Sequence, residues 1–177
     1  MKVLKKLVVA MFVLIIIAVG VGVLLPSSVH VERSTTISAP PDKVFNLING
    51  YASFNKWSPW YEKDPDAVFG VEGPPTGVGA RMVWTSDMPE VGSGSQEIIE
   101  SQPNQLVKTH LDFGTQGTAT ATFQIEPTNG GSRVTWSLDA AFGYDLVGRY
   151  FGLLFDRMIG PDYEKGLANL RRLAESG

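Results

Sequence analysis

Leu7 to Leu25 is a run of 19 residues with neither a charge nor a proline. As a helix rising 1.5 Å per residue it is roughly 28 Å long, close to a bilayer core of about 30 Å. Pro26, Ser27 and Ser28 follow it and break the helix. Lys2, Lys5 and Lys6 all precede the run, and only Arg33 follows closely. The positive-inside bias then puts the N-terminus in the cytoplasm and the rest of the chain outside it, in the periplasm if the cell is Gram-negative. A cleaved signal peptide is the rival. Its apolar stretch is usually about 7–15 residues, and Gly22-Val23-Leu24-Leu25-Pro26 offers no clear small-x-small site. The expectation is an uncleaved single-pass anchor in residues 1–28 and one domain in residues 29–177.

That division separates the charges. Residues 29–177 carry all 18 acids and 12 of the 15 bases, a net charge of −6. A net-acidic domain is a poor nucleic-acid partner, because phosphate affinity comes mainly from Lys and Arg. The chain has no cysteine, which excludes disulfides, lipoprotein attachment and Cys-ligated zinc or iron–sulfur sites. Its length fits one domain of ordinary size and not a multidomain enzyme.

Val29 and Val31 alternate with His30 and Glu32, so Val29 to Ile37 predicts a first strand, ended by Pro40-Pro41. Pro41-Asp42 opens a helix with Val44, Phe45, Leu47 and Ile48 on its apolar face, and Gly50 stops it. A second short helix is expected around Tyr51 to Lys56, ending in Trp57-Ser58-Pro59-Trp60-Tyr61. The period then becomes two. Strands are expected at Ala67–Glu72, Ala80–Thr85, Gly94–Ser101, Gln105–Phe113, Thr118–Glu126 and Arg133–Ala141. The Gly-, Pro- and Asn-rich turns between them predict an antiparallel meander. A long helix from about Asp145 to Ala174 ends the chain. It carries two apolar stripes: Val147, Phe151, Leu154 and Met158, then Tyr163, Leu167, Leu170 and Ala174. Gly160-Pro161 between them should kink or split it.

The economical architecture is α+β. A strongly curved antiparallel sheet of about seven strands wraps a long C-terminal helix, with two short helices after the first strand and one transmembrane helix before it. The gap between helix and sheet in such a helix-grip fold is a pocket, apolar by construction.

Val31-Glu32-Arg33-Ser34 through Ile37-Ser38-Ala39-Pro40 into Val44-Phe45, then Trp57-Ser58-Pro59-Trp60 and Gly79-Ala80-Arg81 with Trp84, begin a pattern that runs along the chain. Gly92 to Ile98, Leu111-Asp112-Phe113, Phe123 to Pro127, Arg133-Val134-Thr135-Trp136 and Tyr163 to Leu170 continue it. In this order they resemble the START/Bet v-like (SRPBCC) superfamily and within it the polyketide cyclase/dehydrase type 2 group, with an N-terminal anchor added. The resemblance spans about residues 30–175. It implies the helix-grip fold and brings no invariant catalytic motif; the superfamily includes lipid and steroid carriers, quinone binders, cyclases and chaperone activators.

The residues themselves offer little catalysis. There is no H-E-x-x-H, phosphate-cradling glycine loop or G-x-S-x-G elbow, and no metal or cofactor site is expected. His110 and Asp112 share one face of a strand and form the weak candidate acid/base pair, provided that face lines the pocket. The alternation favours the opposite: Lys108, His110 and Asp112 outside, Val107, Thr109, Leu111 and Phe113 inside. Glu97 and Glu100 fall on opposite faces of the preceding strand by simple alternation.

Aromatics are the better signal. Trp57, Trp60, Trp84, Phe123, Trp136, Phe151, Phe155 and the flexible Met158 are the expected ligand-binding residues, although aromatics are often plain core. The expected partners are a small hydrophobic ligand (lipid, quinone or polyketide-like) and the membrane through residues 7–25. A cyclase or dehydratase acting on such a ligand, and a protein-interaction module, are the alternatives.

Overall fold

The computed structural model describes residues 2–176. Helix α1 (Lys2–Leu24) comes first, long and apolar enough to cross a membrane. Strand β1 (Ser28–Ile37) follows, then α2 (Pro41–Ile48), a 3-10 turn (Phe54–Lys56) and α3 (Pro59–Lys63). Strands β2 (Val68–Glu72), β3 (Arg81–Thr85), β4 (Ser93–Gln102), β5 (Leu106–Asp112), β6 (Thr118–Thr128) and β7 (Gly131–Ala141) come next. Helices α4 (Leu146–Gly152) and α5 (Phe155–Glu175) close the chain. The alternation thus placed all seven strands, each within two residues of its expected bounds.

The sheet is fully antiparallel in the order β1-β7-β6-β5-β4-β3-β2. Strands β2 to β7 form a meander, and β1 closes onto β7 with Arg33 opposite Trp136. Val134, Trp136, Leu138 and Ala140 of β7 and Ala119, Ala121, Phe123 and Ile125 of β6 are all buried, as period two requires. Helix α5 buries Tyr163, Leu167, Leu170 and Ala174 against this face, its contacts concentrated on β1. The second apolar stripe therefore makes the grip.

The first stripe does not. Val147, Phe151, Leu154 and Met158 are 66%, 56%, 45% and 57% exposed. The helix also breaks at Leu153-Leu154, between α4 and α5, and not at Gly160-Pro161, which lies inside α5. Arg33 supplies the reason. Its Nη1 donates to Asp156 (2.8 Å) and its Nε to Glu164 (2.7 Å), one turn on either side of Gly160. A Cβ at Gly160 would lie 2.1 Å from Arg33 Nη2, so only glycine admits the guanidinium. The clamp spans the place where proline removes a backbone bond, and the paired guanidinium holds the Asp156 carboxyl below its usual range.

The α2–α3 segment is tied to the same helix. Asn169 Nδ2 donates to Glu62 Oε1 (2.6 Å) and to the Trp57 carbonyl (3.2 Å). Lys63 pairs with Asp162 and Lys165 with Glu62, each at 2.6 Å. Pro59 starts α3, so the expected short helix at 51–56 is a 3-10 turn followed by a separate helix holding Trp60.

Gly166 sits where α5 crosses Trp136. A Cβ there would meet the indole at 2.7 Å and Pro59 at 3.2 Å. Overpacking costs about 1–3 kcal/mol and exceeds the roughly 0.5–1 kcal/mol that alanine gains in a helix. Gly166→Ala should therefore lower stability in urea unfolding, although alanine is the better helix former.

Candidate ligand cavity

The inner sheet face, the α2–α3 segment and α5 enclose a cavity of about 40 Å³. Ile48, Tyr51, Phe54, Trp57 and Trp60 line one side; Gln96, Ile98, Thr109 and Leu111 come from β4 and β5. Ala121, Phe123, Trp136 and Tyr163 complete the wall. Aromatic packing defines its shape. Trp136 stacks on Tyr163 (3.8 Å between centroids) and on Phe123 (4.7 Å), and meets Trp57 and Trp60 edge-on at 5.6 and 5.8 Å.

Two polar atoms in this wall are orphaned. Tyr51 Oη and Trp136 Nε1 are buried and have no hydrogen-bond partner among the described residues. A buried polar group without a partner costs about 1–3 kcal/mol. Gln96 and Thr109 add further polar groups at buried positions. Burial raises the phenol pKa of both Tyr51 and Tyr163, so both are neutral donors at physiological pH. The arrangement can hold an apolar body by ring contact and fix a small polar group by one or two hydrogen bonds. Among the described residues no group of His, Asp and Glu is arranged to hold a metal.

Trp57, Trp60, Phe123 and Trp136 line the cavity, as the aromatics suggested. The other four candidates lie elsewhere. Trp84 packs on Phe113 (5.9 Å) and donates to the Val91 carbonyl, and Phe155 packs on Phe142 (5.6 Å). Phe151 and Met158 are exposed, because the first stripe never reaches the sheet. The sequence reading missed Tyr51 and Phe54, which precede the Trp-Ser-Pro-Trp cluster, and did not count Tyr163 as a wall residue. Gln96 and Thr109 were detectable by parity, since each shares a face with buried Ile98 or Val107.

His110 and Asp112 are on the outer, exposed face. The alternation that placed Val107 and Thr109 inside excludes both from the cavity, and Asp112 Oδ1 instead accepts from the Gly114 amide (2.8 Å). The two glutamates differ from expectation. A bulge between Ile98 and Glu100 returns Glu100 to the face of Glu97, opposite Lys108 and His110 respectively. Glu100 pairs with Lys108 at 2.8 Å, outside the cavity. A larger groove of about 880 Å³ runs past Asp42, Pro103 and Glu126 at the other end of the sheet. It is open to solvent and has no aromatic lining.

Comparison with known proteins agrees with this geometry. The sequence model of the family described as polyketide cyclase / dehydrase and lipid transport matches residues 28–175. No curated protein matches the sequence. Among solved structures, a Chromobacterium violaceum protein is similar at 18% identity and a TM-score of 0.55, over 85% of this chain and 99% of its own. The di-domain ARO/CYC StfQ of the steffimycin biosynthetic pathway is similar at 13% identity and a TM-score of 0.62, over 84% of this chain and 51% of its own. Ara h 8.0201 is similar at 12% identity and a TM-score of 0.55, over 85% of this chain and 99% of its own. At these identities the likeness is one of fold.

Two variants test the cavity wall and the outer face. Tyr51→Phe removes an unpaired buried hydroxyl, so the ligand-free protein should be about 1 kcal/mol more stable in urea. His30 Nδ1, on the outer face of β1, donates to Asp139 Oδ1 (2.7 Å), and that bond raises its pKa. A raised folded pKa stabilises the fold below the unfolded value, and the gain disappears as pH rises through the folded one. His30→Ala should therefore melt below the parent at pH 5 and with it at pH 9, the difference being small for so exposed a pair.

Proposed function

This chain belongs to the polyketide cyclase / dehydrase and lipid transport family, and on that premise we propose that it is a membrane-anchored, extracytoplasmic domain that binds a small hydrophobic molecule in the aromatic cavity. The observation that carries the reading is the pair of orphaned polar atoms, Tyr51 Oη and Trp136 Nε1, in a wall made mainly of rings and aliphatic side chains. A hydrophobic ligand with one carbonyl or hydroxyl satisfies one of them and leaves its apolar body against Trp57, Trp60 and Phe123. Apolar burial supplies the affinity at about 25 cal/mol per Å². The polar contact sets the orientation.

The cavity is far smaller than the roughly 300–1,000 Å³ of drug-sized sites. Binding therefore requires the rings to repack. The 3-10 turn and α3 are the movable side, because they carry Phe54 and Trp60 and meet α5 only through side-chain bonds, whereas the opposite wall belongs to strands joined by backbone ladders. Residues 7–25 keep the domain beside the bilayer, where hydrophobic ligands partition. The three lysines in the first turns of α1, ahead of its apolar run, and the scarcity of basic residues just after it support an outside location.

Native mass spectrometry of the detergent-extracted full chain, combined with organic extraction, tests the reading. The expected result is one small apolar molecule per chain, with reduced occupancy in Tyr51→Phe. An empty cavity together with a stable protein partner would overturn it. The anchor is tested separately: after a carbonate wash, intact chain of 19.2 kDa should stay in the membrane fraction.

A further inference from the structure

The exposed stripe on α4 is continuous with the membrane helix. Gly22 is buried because α4 lies on it: a Cβ there would meet Tyr150 Cε2 at 3.2 Å and Leu146 Cβ at 3.4 Å. Tyr150 Oη donates to the Ala18 carbonyl at 2.6 Å. Arg149 Nη1 donates to the carbonyls of Val23 (2.9 Å), Leu25 (3.2 Å) and Gly22 (3.4 Å). These are the carbonyls a helix end leaves unpaired, and a cation there complements the dipole. Arg149 therefore caps α1, and one helix of the domain is fastened along the last turns of the span.

The depth follows from the rise per residue. Ala18 lies six residues before Leu24, the last residue of α1, or about 9 Å along the helix axis. If Leu24 reaches the membrane surface, α4 lies beside the outer end of the hydrocarbon. While Leu146 and Tyr150 hold α1, Val147, Phe151, Leu153, Leu154 and Met158 remain 45–66% exposed next to it. Tyr144, just before α4, is 98% exposed. In water this surface would be a large unpartnered apolar patch. Beside a membrane span it has the composition and depth of an interfacial helix, with tyrosines and a snorkelling arginine at its edge.

We propose that α4 and the start of α5 are seated in the outer leaflet as a second membrane contact, so that the domain is fixed in orientation and not tethered by a free linker. The inference rests on the reading of α1 as an uncleaved anchor. The occupant of the patch is lipid, because Leu146 and Tyr150 pack directly on Gly22 and the exposed α4 residues beside them continue the apolar surface of α1, with Arg149 on the carbonyls that end the span.

The native chain has no cysteine, so single labels test this directly. Phe151→Cys and Leu154→Cys, with Val147→Cys in reserve should either fail to fold, are labelled with an environment-sensitive fluorophore in the full chain. Asn129→Cys is the control. It lies on the β6–β7 turn, at the opposite end of β7 from α4, roughly 36 Å away for an eleven-residue strand. The proteins are reconstituted into phosphatidylcholine vesicles with brominated acyl chains. Labels at 151 and 154 should lose about half their emission, since an interfacial helix sits about 5–10 Å into the headgroup and acyl boundary, and the label at 129 should lose none. A carbonate-resistant, intact chain whose labels at 151 and 154 are not quenched overturns the inference and leaves the anchor standing; so does protection of those labels by a second copy in cross-linking. Release of the chain by carbonate, or a mature chain lacking α1, overturns the anchor and this inference together.

Discussion

Trp136 is the contact on which the arrangement of helix and sheet depends. Its indole lies between Phe123 of the neighbouring strand and Tyr163 of α5, stacked on both. Gly166 lets the helix approach to within contact of the ring, and Pro59 closes over the same point from α3. A sheet and a helix that diverge leave a wedge between them, and large planar side chains fill a wedge with little loss of rotamer freedom. Trp57 and Trp60 fill the rest from the α2–α3 segment. The core and the cavity wall are thus the same residues, so the cavity's size is set by ring packing and not by the backbone.

That identity explains both the small volume and the orphaned atoms. An indole and a phenol placed to fill space carry an N–H and an O–H wherever the geometry leaves them. Trp57 Nε1 finds the Leu47 carbonyl at 3.4 Å and Trp84 Nε1 finds Val91. Trp136 Nε1 and Tyr51 Oη find nothing in the wall. Phenylalanine at position 51 would avoid the cost, which makes the Tyr51 hydroxyl the most informative atom in the site.

Most of the fold was legible from alternation, because a half-buried strand writes its burial into the sequence at period two. Thr118 to Ile125 and Arg133 to Ala140 are the clearest cases, and the same parity put His110 and Asp112 outside. The bulge at Ile99 was not legible: it adds one residue without a glycine or proline to mark it, and so reverses the parity for Glu100. The helical stripes were read correctly as periodic and wrongly as equivalent. Periodicity says that a face is apolar, and only the partner decides what covers it. Tyr163 to Ala174 meets the sheet; Val147 to Met158 does not. Gly160-Pro161 misled for a related reason. Local preference predicts a break there, but a charged side chain from β1 occupies the space that glycine opens and ties both flanking turns.

The two stripes also explain where the helical segment does break. Leu153-Leu154 is the point at which the buried surface changes from one side to the other, and a straight helix cannot present an apolar face to α1 at one end and to the sheet at the other without a turn between them. Arg149 and Arg33 stand on either side of that break. One closes the carbonyl end of α1, and the other clamps α5 to β1. Arg149 donates to backbone carbonyls at the end of α1 and Arg33 to two carboxylates of α5, so each half of the segment is held by its own charge-assisted bonds. Two helices fastened independently leave the sheet grip intact whatever medium α4 meets.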